Sequence, residues 1–148
     1  MEPLFIEGTD LTPKISLDPV KGYFEIEGYS RPEDVNEFYT PVVEWLRDYK
    51  EKIINNKLKA GYENNELNFV FKLTYFNSAS TKFITEVLFI IRDLNKNNKQ
   101  INISWYYEEY DEDMLEVGED LSAMIKIPFN YYTLDEEDDE ELDNIIDY

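Results

Sequence analysis

Residues 67–82 read LNFVFKLTYFNSASTK, and the periodicity of the chain changes once within them. Up to Tyr75, the apolar Leu67, Phe69, Phe71, Leu73 and Tyr75 alternate with Asn68, Val70, Lys72 and Thr74. A period of two is that of a strand with one face against a core. After the polar knot Asn77–Thr81, Phe83, Ile84, Val87, Leu88, Ile91 and Leu94 recur at three and four residues, the stripe of an amphipathic helix. A strand passing straight into a helix is the unit of an α/β fold.

The same reading extends in both directions. Upstream, Lys14–Ser16 and Tyr23–Tyr29 flank the turn Asp18-Pro19-Val20-Lys21-Gly22 and predict a hairpin. Ser30-Arg31-Pro32-Glu33 has the pattern of a capping box. Behind it Val35, Phe38, Tyr39, Val42, Val43, Leu46 and Tyr49 mark a first helix that fades near Asn55 and Asn56. Pro41 predicts either a kink there or a start later than Ser30. Residues 57–66 read as a polar loop. Downstream, the second helix ends near Asn95–Asn98. Ile101, Ile103 and Trp105 form a strand running to Tyr107, Met114, Val117, Leu121 and Met124 a third helix, and Phe129–Thr133 a last edge strand. The order β-β-α-β-α-β-α-β predicts a single α/β domain, a mixed β-sheet with an N-terminal β-hairpin and three main helices.

Composition narrows the function. The 148 residues suffice for one domain, and 43% hydrophobic with 16% aromatic content can fill a core. With 33 acidic and 14 basic residues the net charge is −19, which argues against nucleic-acid and anionic-membrane partners. No Cys and no His are present, so disulfides, zinc–thiolate sites, Cys nucleophiles and His bases are excluded. No apolar run reaches the roughly 18 residues of a membrane span. The N-terminus lacks the pattern of a secretory signal, so a cytoplasmic protein is expected.

The charge is uneven. Residues 1–107 carry 16 acids and 13 bases, whereas 108–148 carry 17 acids and only Lys126. Residues 134–148, LDEEDDEELDNIIDY, hold nine acids and no base, a composition that predicts a flexible tail. Leu142, Ile145 and Ile146 also fit one face of a short docking helix.

Where a strand end meets a helix start, α/β folds place ligands and regulatory groups. Here that junction is Asn77-Ser78-Ala79-Ser80-Thr81-Lys82. One of these residues is enough to cap the helix. Three hydroxyls in four residues also suit a phosphate, which would meet orphan N–H groups and the positive end of the helix dipole, with Lys82 in reach. Phosphorylation there would alter the surface charge without opposing the fold. Tyr106, Tyr107 and Tyr110, beside the acids Glu108–Asp113, are candidate partner-binding residues, with core packing the competing role; Trp105 is assigned to the core. The acids 111–119 lack the spacing and glycine of a calcium loop. No paired carboxylates are placed for hydrolysis, and no glycine-rich phosphate loop is present, so no catalytic residues, cofactors or metals are assigned.

Four stretches, MEPLFIEGTDLTPKISLD (1–18), GYFEIEGYSRPEDVNEFYTPVVEWL (22–46), TYFNSASTK (74–82) and ISWYYEEYDEDMLEVGEDLSAMIKIPF (103–129), resemble the SiaC family of regulatory phosphoproteins. The resemblance covers residues 1–133 and leaves 134–148 as an acidic C-terminal extension. It implies a STAS-like domain, like that of anti-sigma-factor antagonists, and a non-catalytic role in bacterial partner switching. It further implies control by reversible Ser/Thr phosphorylation, through a cognate kinase and a PP2C-type phosphatase, and a downstream target such as a diguanylate cyclase. The family's phosphoacceptor maps onto the 77–81 cluster, with Ser78 first and Ser80 and Thr81 as alternatives; Asn77 and Lys82 join the partner-binding set. The alternative is a constitutive acidic interaction module without phosphoregulation.

Overall fold

The computed structural model describes residues 1–58, 66–97 and 100–134. Most of the loop read at 57–66 and the acidic tail beyond Leu134 lie outside the described residues. The elements are β1 (Leu4–Ile6), β2 (Lys14–Asp18), β3 (Tyr23–Ser30), α1 (Val35–Ile54), β4 (Glu66–Phe76), α2 (Ser78–Lys96), β5 (Gln100–Tyr107), α3 (Glu112–Ile125) and β6 (Asn130–Thr133). The six strands form one sheet in chain order, β1-β2-β3-β4-β5-β6. β1, β2 and β3 pair antiparallel, and β3 to β6 pair parallel. The mixed sheet and the three helices agree with the expected α/β class and are compatible with a STAS-like domain.

Crossovers between parallel strands are right-handed as a rule, and three of them stepping the same way along the sheet put α1, α2 and α3 on one face, where α2 packs against both α1 and α3. The strands follow suit. In β4, Leu67, Phe69, Phe71 and Leu73 are buried in the common core with Tyr39, Leu46, Ile84, Leu88 and Leu94, while Lys72 and Thr74, on the opposite face, are half-buried. Each such large apolar side chain contributes about 1.5–3 kcal/mol on burial. Trp105 is 1% exposed, donates Nε1–H to the Met114 carbonyl at 3.0 Å, and sits against Gly118 so closely that a Cβ there would lie 2.6 Å from the indole. Gly118 is therefore what lets α3 dock on β5.

Two expectations need correction. Ser30 does not cap α1: it is the last residue of β3, paired with Phe76 of β4. The helix starts later, at Val35, where the Asp34 carboxylate accepts the Glu37 N–H at 3.1 Å, and it runs on through Pro41. The capping-box pattern matched locally, but sheet pairing claimed Ser30. The hairpin is also preceded by a strand, β1, whose three residues are too few to show a period.

No helix among the described residues is long and apolar enough to cross a membrane.

Candidate functional site: the start of helix α2

The carboxyl ends of β3 and β4 lie side by side, with Ser30 opposite Phe76, and the Asn77 N–H donates to the Ser30 carbonyl at 2.9 Å. This bond anchors the first turn of α2 to the end of β3. Asn77 has extended backbone angles (φ −81°, ψ 169°) and caps the helix: its Oδ1 accepts the Ser80 N–H at 2.9 Å. It also accepts the Ser80 hydroxyl, at 2.7 Å.

The three hydroxyls of the cluster then part company. Ser78, the first residue of α2, is exposed. Thr81 is exposed, its Oγ1 at 3.5 Å from the Asn77 carbonyl. Ser80 is 0% exposed. Besides bonding to Asn77, its Oγ lies 3.2 Å from the Ser30 carbonyl and accepts from Ser30 Oγ at 2.8 Å. A kinase acting on Ser80 would first have to open the helix start, so the structure separates Ser80 from its neighbours as an interior residue. Ser30 Oγ in turn meets the Tyr39 hydroxyl at 2.5 Å. Tyr39 belongs to α1, is 0% exposed, and stacks on Phe83 at 5.3 Å between centroids. Burial pushes its phenol pKa up, partly offset by the hydrogen bonds with Ser30 and Ser80.

The electrostatics of the three helix starts differ. The first turn of α1 holds Glu37 and that of α3 holds Glu112 and Asp113, as the dipole favours. The first turn of α2 holds no acid. Lys82, exposed and one turn beyond Ser78, lies on the same helix face, its ammonium 5.5 Å from the Phe83 centroid. Arg31, just past Ser30, is exposed, with its guanidinium 5.4 Å from the Tyr29 ring and its Nε donating to the Asp10 carbonyl at 3.0 Å.

The remaining sequence candidates do not gather into one patch. Tyr106 points away from the helices, stacked on Tyr132 at 5.1 Å with Lys72 Nζ 4.8 Å from its ring centroid. Tyr107 packs half-buried against the core, and Tyr110 is 80% exposed in the turn before α3. Trp105 is in the core, as assigned. Ser30 and Tyr39 carried no local sign of their part in the site, because Ser30 and Ser80 are 50 residues apart and only sheet pairing joins them.

The fold and site together define a two-layer α/β protein that presents an accessible serine on an acid-free helix start. A model of the SiaC family of regulatory phosphoproteins matches residues 6–134, and the chain belongs to that family. An uncharacterised protein of Pseudomonas aeruginosa (strain UCBPP-PA14) is 26% identical over 136 residues, spanning 92% of this chain and 100% of the relative. Among solved structures, SiaC of Pseudomonas aeruginosa in complex with the diguanylate cyclase SiaD, which it activates, superposes with a TM-score of 0.75 at 23% identity. That match covers 88% of this chain and 98% of the other. Apo-SiaC from the same organism gives 0.74 at 23% identity, with the same coverage. These likenesses establish the fold.

Proposed function

We propose that this protein is a non-catalytic, cytoplasmic switch in a partner-switching pathway, with Ser78 as its phosphoacceptor. A Ser/Thr kinase adds the phosphate, a PP2C-type phosphatase removes it, and the unphosphorylated form engages a downstream signalling protein. The solved complex of the Pseudomonas aeruginosa relative with its diguanylate cyclase makes an enzyme of that class the first target to test. Residues 1–133 are the switch domain, and 134–148 are an acidic appendage to it.

The observation that carries this reading is the exposed Ser78 at an acid-free helix start in a chain of net charge −19. A phosphoserine brings about −1.5 to −2 charges at neutral pH. At the first position of α2 that charge faces the positive end of the dipole, with Lys82 one turn away, so the fold tolerates it. A partner docked on the start of α2 meets a new dianion where no carboxylate stood. Thr81, the second exposed hydroxyl, lies a turn deeper and farther from the orphan N–H groups.

A pull-down with wild type and Ser78→Asp, followed by mass spectrometry, tests the proposal. The expected result is one phosphate on the 78–81 peptide of the wild type and loss of the target from the variant. Modification elsewhere would sink the site assignment; unchanged binding by Ser78→Asp would leave a constitutive interaction module.

A further inference from the structure

Four polar groups lie in line beneath the start of α2, and their protons run one way. Ser30 Oγ donates to Ser80 Oγ at 2.8 Å, so its single proton is spent and the Tyr39 hydroxyl is the donor to Ser30. Ser80 has two acceptors for its own proton, Asn77 Oδ1 at 2.7 Å and the Ser30 carbonyl at 3.2 Å, and the shorter contact is the one to Asn77. Asn77 Oδ1 thus accepts twice from one residue, from the Ser80 O–H and the Ser80 N–H. Its amide plane cannot turn without breaking both bonds. Tyr39, Ser30 and Ser80 are each fully buried, so no water is at hand to replace a lost partner. The line starts on α1, passes through the end of β3, and ends on the residue immediately before Ser78.

We infer that Tyr39 and Ser30 are positioning residues for the phosphoacceptor: through Ser80 they fix Asn77, and with it the N–H groups that a phosphate on Ser78 would meet. This deepens the reading of Ser78 as the acceptor and rests on it for its biological meaning. Tyr39 touches neither the phosphate nor a partner; it acts through Ser30, Ser80 and Asn77. A cap held by a buried chain of hydroxyls offers its donors already oriented, so binding the new charge requires little reorganisation.

The test needs no kinase. Phosphoserine is installed at position 78 of the full chain, in wild type and in Tyr39→Phe, which keeps the ring and its stacking on Phe83 and deletes only the hydroxyl. Ser30→Ala is the second variant. Ile53→Val, a truncation elsewhere in α1, controls for general loss of stability. Two quantities are read: the phosphate titration by phosphorus NMR, and the hydrogen-exchange rate of the Ser80 amide in the unmodified proteins. In the wild type the phosphate titrates below its ordinary midpoint of about 6. In Tyr39→Phe and Ser30→Ala the midpoint moves back toward that value and the Ser80 amide exchanges about tenfold faster, the loss expected for a cap weakened by about 1.4 kcal/mol. Ile53→Val changes neither. Equal midpoints and equal Ser80 exchange across all four proteins would overturn the inference. Absence of phosphate from Ser78 in the protein isolated from its host would instead overturn the functional reading and leave the relay intact.

Discussion

Tyr39 and Tyr49 occupy the same buried stripe of α1, ten residues apart, and both are 0% exposed. Their hydroxyls fare differently. That of Tyr39 is bonded to Ser30 and so linked to the start of α2. That of Tyr49 has no hydrogen-bond partner among the described residues, although its ring stacks on Trp45 at 5.5 Å. At the far end of the helix a phenol is kept for its ring, and the unsatisfied oxygen is a cost. At the end near Ser78 the oxygen is integrated into the structure. A buried polar network is expensive to assemble, so its placement under the helix start indicates that this end must hold one geometry.

The largest expected effect comes from the centre of the network. Ser80→Ala takes away the acceptor of the Ser30 hydroxyl proton and one of the two donors to Asn77 Oδ1, and should destabilise the protein by about 2–3 kcal/mol in urea unfolding. Tyr39→Phe should cost about 1–2 kcal/mol. In a double-mutant cycle it should couple to Ser80→Ala by more than about 0.5 kcal/mol, whereas Tyr49→Phe and Ser80→Ala should be additive. If both tyrosines couple to Ser80 alike, the contrast between them collapses. Tyr49→Phe by itself should be neutral or stabilising by up to about 1 kcal/mol, since it removes an unsatisfied buried oxygen. The smallest effect appears only in alkali. Burial raises both phenol pKa values, with the Asp18 charge adding to the rise at Tyr49. Unfolding therefore releases groups that ionise near pH 10 in the unfolded chain. The stability these phenols contribute is complete below about pH 10 and is lost as pH climbs toward their folded values. The melting temperature should fall less steeply above pH 10 in Tyr49→Phe than in wild type.

Much of this architecture was legible in the sequence because it rests on local pattern. The alternation of 67–75 marked β4, the three-and-four spacing after Phe83 marked α2, and Asn77 had the chemistry of a cap. Apart from β1, which is too short to show a period, the failures were non-local. Ser30-x-x-Glu33 satisfies a capping box, but pairing with Phe76 holds Ser30 in the sheet and Asp34 takes the cap. The resemblance puts Ser78 first, but local chemistry does not divide Ser78, Ser80 and Thr81, whereas helical geometry turns Ser80 inward and leaves the other two outside. Trp105 has the marks of a core residue in the sequence, yet nothing there pairs it with Gly118, a poor helix former whose missing Cβ makes room for the indole. Tyr106 and Tyr107 are neighbours in sequence and face opposite sides of the sheet.

The strand order, identical to the chain order, bears on how the protein is made. Every strand pairs with the one synthesised just before it, so no strand has to be inserted between two already joined, and the sheet can grow at one edge as the chain leaves the ribosome. Tyr39, Ser30, Ser80 and Asn77 are all present once residue 82 has emerged. The acidic third that follows, with its single lysine, joins a sheet whose corner at the start of α2 is already complete.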